Sequence, residues 1–187
     1  YEVGQAVAGL TFQATSLGLL VHQMGGRMMA AQALAQDAVT LFIGIPLLLV
    51  ALLFMAIFAM AVRQPADTDT WWHLQAGRVT LDEGRILQRD VFSHTRQGQP
   101  WVNHSWLSQV ILYLLFENWG YFGLGVFQAL LVVVAFVFVY AQMEGDVFTR
   151  AFIVVLAAAT SAVVWISRPQ LFSFLFTAVL GYLLYLY

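Results

Sequence analysis

Two aspartates and a histidine stand close together in the most polar part of the sequence, in the string Asp67-Thr-Asp69-Thr-Trp-Trp-His73. Two carboxylates one residue apart can share a divalent cation, or can divide into a general base and a metal ligand, because neighbouring like charges separate their pKa values. If a helix begins at Asp69, His73 lies one turn further along the same face and can be a third ligand. The pattern predicts Asp67 and Asp69 as catalytic residues, and Asp67, Asp69 and His73 as ligands of a divalent metal ion.

The same segment also has a purely structural interpretation. Asp69 can cap the N-terminus of a helix, the two tryptophans can anchor in lipid headgroups, and His73 is then only hydrated. An Asp-x-Asp pair on its own is a weak signal, so the spacing leaves both interpretations open.

A second polar and aromatic group lies in the string RDVFSHTRQGQPWVNHSWL, residues 89–107. Its Gly and Pro indicate a loop, and its tryptophans are suited to holding a polar headgroup or a sugar, whereas His94 is interpreted as an ordinary hydrogen-bonding residue. Arginines nearby can bind a lipid phosphate through bidentate contacts, or can pair with the acids of the same segment. The predicted substrate-binding residues are Arg63, Trp72, Arg78, Arg85, Trp101 and His104.

The elements that position these residues must be membrane helices. The chain has 187 residues, of which 61% are hydrophobic and only 10% charged, against about a quarter charged in soluble domains. A net charge of -2 gives no basic field for nucleic acid, and the apolar content excludes a disordered chain. Zero cysteines exclude disulfides and a thiol nucleophile. We therefore expect an integral membrane protein, with the lipid bilayer as its first partner.

The predicted fold is all-α, with about four transmembrane helices and a polar interfacial loop that carries two juxtamembrane helices. Residues 41–62 are uncharged and long enough to cross about 30 Å of hydrocarbon. Three further spans are expected at about residues 121–142, 147–166 and 169–187. The predicted domains are an N-terminal helical segment of uncertain origin (1–40), the first span (41–62), the interfacial loop (63–118) and the remaining three spans (119–187).

The two juxtamembrane helices are expected at residues 71–81, ended by Asp82, Glu83 and Gly84, and at 105–116. The second of these is only 12 residues long, too short to cross a bilayer at about 1.5 Å per residue. In the N-terminal segment we expect a helix to about residue 24, a break at Gly25-Gly26 and a second short helix.

The number of spans also predicts on which side of the membrane the loop lies. If both juxtamembrane helices stay on one side of the membrane, Arg168 falls on that side together with the arginines of the loop. The positive-inside rule then places the loop in the cytoplasm.

Two strings in the loop carry a family resemblance. Asp-x-Asp-x-Trp-Trp-His-Leu-x-x-Gly (67–77) and Asp-Val-Phe-Ser-x-Thr-x-x-Gly-x-x-Trp-Val-x-His-x-Trp-Leu (90–107) resemble the first luminal or periplasmic loop of bacterial C-type glycosyltransferases. The resemblance covers about residues 41–130. It implies transfer of a sugar from a polyprenyl-phosphate carrier to an acceptor, in the bacterial inner membrane.

The resemblance implies that Asp67 and Asp69 occupy the place of the catalytic or metal-binding acid, which follows the first span in that family. It also implies that the loop lies outside the cytoplasm, against the arginine count. Family members typically have eight or more spans, whereas this chain offers four or five. Because the chain starts at Tyr1 and stops at Tyr187 within an apolar run, we expect it to be a piece of a longer protein.

Two other interpretations remain. Residues 1–26, with the string GLTFQATSLGLLVHQMGG at 9–26, resemble the C-terminal helix of flavin-dependent nitroreductases, but no flavin is expected because the α+β domain that holds it is missing. The alternative to an enzyme is a non-catalytic transmembrane subunit of a larger energy-transducing or photosynthetic complex. Small residues at 157–162 would permit close helix contact with partner membrane subunits.

Overall fold

The computed structural model describes residues 2–63 and 67–187, with side chains from residue 15 onward. The structure is 79% helical, and the described part of the chain contains no strand. The expected all-α class is therefore confirmed. The helices are α1 (Glu2–Ala61), α2 (Thr68–Glu83), α3 (Trp106–Ala141), α4 (Val147–Ser161), continued by one 3-10 turn (Ala162–Val164), and α5 (Gln170–Leu186).

Three of the described helical segments are long and apolar enough to cross a membrane. They are Thr15–Ala61 within α1, Trp106–Ala141, and Val147–Val164. The fourth expected span, residues 169–187, is an apolar helix of 17 residues, slightly shorter than the roughly 20 that a bilayer core requires. The structure is thus compatible with an integral membrane protein, and the count of about four spans stays a prediction.

The expected break at Gly25-Gly26 is wrong. Both glycines keep helical backbone inside α1, which continues for 60 residues. Glycine costs a helix about 1 kcal/mol relative to alanine, and the surrounding Met, Ala, Leu and Gln residues are good helix formers that offset this cost. The chain divides into two compact units, Tyr1–Leu48 and Leu49–Tyr187, and every predicted site residue belongs to the second.

The core of the second unit is built from helix faces that carry aliphatic and aromatic residues. It is assembled from the end of α1, the later part of α3, α4 and the turn that precedes α5. Phe136 of α3 contacts Trp165 in that turn edge to face, with ring centroids 5.8 Å apart. The most deeply buried members of this cluster are Ile57, Ala61, Ala129, Val132, Phe136, Val154, Ala158, Trp165 and Leu171.

A single glycine divides α3 into two arms. Gly120 has φ 59° and ψ -148°, a conformation that residues with a Cβ rarely adopt. Residues 106–119 form the first arm and residues 121–141 form the second. The sequence predicted a short helix over residues 105–116 and a separate span from about residue 121. The structure joins the two in one helix that bends at Gly120, and the start of a span at residue 121 stays a prediction.

Helix α2 lies against the first arm of α3. Gly84 ends α2 in the left-handed conformation, with φ 62°, as the sequence predicted. A Cβ on Gly77 would lie 2.3 Å from the backbone oxygen of Gln109, so the two helices cross with backbone contact at this point. The expectation that Asp69 caps α2 is wrong, because Asp67 occupies the N-cap position and Asp69 lies in the first turn.

A buried glutamine connects the end of α1 to the turn before α5. Gln128 of α3 is 2% exposed; its Nε2 donates to the backbone oxygen of Ala61 (2.8 Å), and its Oε1 accepts from the hydroxyl of Ser167 (2.9 Å). Buried polar groups of this kind are costly unless paired. The paired glutamine therefore fixes the turn of residues 165–169 next to the start of the loop.

Candidate functional site

One arginine binds both predicted catalytic aspartates. The Nε of Arg168 donates to Oδ2 of Asp67, and its Nη1 lies 3.0 Å from Oδ2 of Asp69. The side chain of Asp67 is 18% exposed, whereas that of Asp69 is 49% exposed. Asp67 is thus the more enclosed partner, and Asp69 keeps a solvent-facing carboxylate.

The ion pairs keep this cluster charged. The hydrogen bond from the Arg168 guanidinium holds the pKa of Asp67 below its usual value, although burial acts in the opposite direction. The same contact raises the pKa of Arg168 above its usual value. With two carboxylates and one guanidinium, the cluster carries a net charge of about -1 at neutral pH.

The sequence predicted Arg168 on the same side of the membrane as the loop if both juxtamembrane helices stay on that side. The structure places Arg168 in contact with Asp67, just before α2, and the side of the membrane stays a prediction. The sequence did not identify Arg168 as a site residue. A signal was present, because Arg168 is the sole charged residue after Arg150, and a lone charge among apolar spans is costly unless it is paired.

His73 is held by a chain of buried amides. Asn103 Nδ2 donates to Gln109 Oε1 (2.8 Å), and Gln109 Nε2 lies 3.1 Å from His73 Nδ1. Gln109 is fully buried and Asn103 is 6% exposed. In this arrangement the amide nitrogen of Gln109 donates and Nδ1 accepts, which leaves the proton of a neutral imidazole on Nε2.

The surroundings of His73 keep it neutral. Its pKa is lowered to about 4, first because burial disfavours the charged form and second because Arg168 repels it. The carboxylates of Asp69 and Asp67 act in the opposite direction with smaller effect. His73 is therefore uncharged at physiological pH.

The predicted metal ligands are bound to other side chains. Asp67 and Asp69 turn to Arg168, and Nδ1 of His73 accepts from Gln109. Among the side chains that the structure describes, at residues 15–63 and 67–187, no group of three or more His, Asp or Glu is arranged to hold a metal ion. As arranged, these residues do not fit a metal, so no step below uses one, and the divalent ion stays a prediction of the sequence.

A groove of about 690 Å³ lies beside this cluster. Trp72 and His73 of α2 and Trp101 and His104 of the loop line it, together with residues from the starts of α3 and α5. Of the described residues, none that lines the groove is an Asp, Glu, Lys or Arg. Trp72, Trp101 and His104 were all predicted to bind substrate, and the structure brings them together.

The predicted arginines lie elsewhere. Arg78 pairs with Asp82 at 3.5 Å within α2, and Arg85, just beyond its end, pairs with Glu83 at 2.9 Å. These contacts agree with the alternative that the arginines of the loop pair with its acids, and neither arginine lines the groove.

Arg63 instead caps helix ends. Its Nε donates to the backbone oxygen of Met60 (3.2 Å), and its Nη2 donates to that of Ala162 (2.7 Å). Both acceptors are carbonyls near helix C-termini, where cations are favourable. These contacts are sufficient to explain Arg63 structurally.

A second pocket of about 410 Å³ shares Trp72 and Trp101 with the groove. Asp90, which lines it, accepts hydrogen bonds from the hydroxyl and backbone N–H of Ser93 and from the N–H of Phe92. These bonds, that of the Ser93 hydroxyl first, lower the pKa of Asp90. Asp90 therefore organises the turn of the loop.

No protein-family model, curated protein or solved structure matches this chain. The function of the protein must therefore be inferred from the chemistry of the site.

Proposed function

We propose that this protein is a membrane glycosyltransferase that transfers a sugar from a polyprenyl-phosphate carrier to an acceptor hydroxyl. The observation that supports it is the juxtaposition of two charged carboxylates, bridged by Arg168, with an uncharged groove lined by tryptophan. The reaction would take place where the groove meets this acidic cluster, at the surface of what we propose is the bacterial inner membrane.

Asp69 is the general base in this proposal, because it is the more exposed of the two carboxylates. It takes the proton of the acceptor hydroxyl as the acceptor oxygen bonds to the anomeric carbon of the sugar. The bond between that carbon and the phosphate oxygen breaks, and the carrier phosphate leaves with the electron pair. Asp67 acts as a positioning residue, since it holds Arg168 in place.

Arg168 is the cation best placed to interact with the departing phosphate. The next residues in sequence, Pro169 and Gln170, line the groove, and the Nη2 of Arg168 is not used in its two ion pairs. A guanidinium suits phosphate oxygens because it presents several donors in a fixed plane. In this role Arg168 replaces the predicted Arg63, Arg78 and Arg85.

The test is transfer by the full chain in liposomes, with an undecaprenyl-phosphate-linked radioactive hexose as donor and an alkyl glycoside as acceptor. General-base catalysis contributes about 10²- to 10⁴-fold, so Asp69→Asn is expected to lower transfer by at least about 100-fold with folding intact. The matched control is Asp82→Asn, which removes an exposed carboxylate on the same helix. Full activity in Asp69→Asn would remove the assignment.

The second candidate is a non-catalytic subunit of a larger membrane complex. It is favoured by the exposure of the described α1 side chains at residues 15–45, which form a long unburied surface. An enzyme is expected to purify alone and to bind polyprenyl phosphate. A subunit is expected to co-purify with partners in fixed stoichiometry and to leave the donor untouched.

A further inference from the structure

The lining of the groove determines which chemical groups it can accept. Its polar side chains are amides, hydroxyls and imidazoles, contributed in part by Asn103, Ser108, Gln109 and Ser173. A carboxylate on a sugar ring that lost its water here would find no cation among the described lining residues, and an unpaired desolvated charge is strongly unfavourable.

His73 supplies a directed donor to this neutral site. Because Gln109 occupies Nδ1, the ring must carry its proton on Nε2. Gln109 cannot easily turn away, since its amide is buried against Asn103 and its backbone touches Gly77. The orientation of the imidazole is thus fixed before any ligand arrives, which lowers the entropic cost of binding.

The tryptophans supply apolar faces. The rings of Trp72 and Trp101 lie 5.7 Å apart, centroid to centroid, and Trp72 lies 4.0 Å from the ring of His73. A pyranose has an apolar C–H face and a rim of hydroxyls, which an indole face beside amide and imidazole groups complements. The groove volume of about 690 Å³ lies within the roughly 300–1,000 Å³ of small-molecule sites.

We propose that the groove is a binding site for an uncharged sugar ring, that Nε2–H of His73 donates to one of its oxygens, and that the site rejects uronic acids. This inference rests on the proposed function, because it specifies the sugar that the carrier delivers. It also replaces the predicted metal-ligand role of His73 with that of a binding residue.

The experiment measures binding without turnover. The full chain in lipid nanodiscs is titrated with the methyl glycosides of glucose and galactose and with the corresponding uronides, followed by saturation-transfer NMR. Each pair differs only in a CH₂OH group against a carboxylate. At least one neutral glycoside is expected to bind about tenfold or more tightly than its uronide. Equal binding of the uronide, or no binding of either neutral glycoside, would overturn the inference.

The role of His73 is tested with His73→Phe, which keeps a ring but removes the donor. Loss of one hydrogen bond is expected to weaken binding of the neutral glycoside by about tenfold. The matched control is His94→Phe, which alters an exposed loop histidine outside the groove and should leave binding unchanged. Unchanged binding in His73→Phe would contradict the donor role.

A second measurement uses the wild-type chain and so does not depend on whether His73→Phe folds. In the wild-type chain with ¹⁵N-labelled histidine, the Nε2 resonance of His73 should shift on addition of the neutral glycoside, and an unmoved resonance would overturn the inference. Binding with no transfer from any donor would count against the proposed function alone. Transfer with no neutral-sugar binding would count against this inference alone.

Discussion

At the scale of single residues, two of the arginine–aspartate pairs in the described part of the chain lie in contrasting surroundings. Arg168 and Asp67 are 25% and 18% exposed, whereas Arg78 and Asp82 are 57% and 66% exposed. Removing one partner of an enclosed pair leaves a charge without compensation, whereas an exposed pair is screened by water. The two pairs should therefore differ in their contribution to stability, although they contain the same groups.

This difference can be measured with a matched pair of substitutions. Arg168→Gln is expected to lower the free energy of unfolding by about 1 to 3 kcal/mol, because Asp67 and Asp69 then face each other without a cation. Arg78→Gln is expected to cost about 0 to 1 kcal/mol. Denaturant titration in detergent micelles measures both, and equal losses would show that the cluster at Arg168 is not enclosed.

His73 makes stability depend on pH between about 4 and 6.5. Its pKa is about 4 in the folded chain, below the roughly 6.5 of an unfolded one, so the unfolded state takes up a proton at higher pH. The contribution is complete above about pH 6.5 and is lost as the pH falls towards about 4. The lowered pKa of Asp67 changes stability only below about pH 4. It therefore does not contribute to the pH dependence that we assign to His73.

The measurement is the temperature of thermal unfolding at about pH 7 and about pH 5, for the wild type and for His73→Gln. The variant keeps an amide donor but does not titrate. The wild type should lose more stability on acidification than the variant. Parallel losses would mean that His73 is not held neutral by its surroundings.

The sequence predicted some of these residue-level features. It placed Asp67 and Asp69 together and put His73 one turn beyond Asp69, and α2, which begins at Thr68, has this arrangement. It could not predict that Arg168, 101 residues away, binds both acids. It also could not predict that Gln109 binds His73, because only the crossing of α2 with α3 brings the two together.

At the scale of elements, the crossing of α2 and α3 depends on a missing side chain. A methyl group on Gly77 would lie 2.3 Å from the backbone oxygen of Gln109 and 3.0 Å from Cβ of Tyr113. Backbone cannot move aside as a flexible side chain can. This contact fixes both the position of α2 and the orientation of the Gln109 amide that holds His73.

We therefore expect Gly77→Ala to destabilise the protein by about 1 to 3 kcal/mol, as overpacking does. The matched control is Gly25→Ala in α1, where a Cβ would meet nothing within 4 Å and where alanine is the better helix former. Thermal unfolding compares the two, and glycoside binding should fall only in Gly77→Ala. An unchanged Gly77→Ala variant would contradict the close crossing.

Element boundaries could be predicted where local chemistry decides them. Gly84 ends α2 with a positive φ, as the polar residues Asp82 and Glu83 before it indicated. Gly120 also has a positive φ where α3 bends, but the sequence predicted only that a span begins at about residue 121. The same residue type failed as a signal at Gly25-Gly26, since no turn competes with the helix at that point. A glycine thus marks a break only when the chain gains contacts by turning.

At the scale of the whole molecule, the order of the helices predicts how the second unit spans a membrane. The 3-10 turn at Ala162–Val164 accepts a hydrogen bond from Arg63, which follows α1, and Arg168 binds the two acids at the start of α2. The turn at residues 142–146 joins the other ends of α3 and α4. Residues 84–105 and residues 142–146 are therefore expected on opposite sides of the bilayer.

The absence of cysteine from the sequence makes this expectation easy to test. Single variants Gln97→Cys and Glu144→Cys are treated in intact bacteria with a maleimide that cannot cross the membrane. One of the two should react and the other should react only after lysis. The reactive one also decides between the cytoplasmic loop predicted by the arginine count and the external loop implied by the family resemblance. Equal labelling of both in intact cells would contradict the proposed topology.

The most direct test of the proposed function is to find where a lipid-linked sugar binds. A polyprenyl-phosphate hexose that carries a photoreactive diazirine on the sugar is bound to the full chain in nanodiscs, irradiated, and the labelled peptides are identified by mass spectrometry. We expect labelling in α2, the loop and the start of α5, at or beside Trp72, Trp101 and Ser173, with competition by the unlabelled carrier. Labelling confined to the exposed apolar surfaces of α1 and α4, without competition, would contradict it.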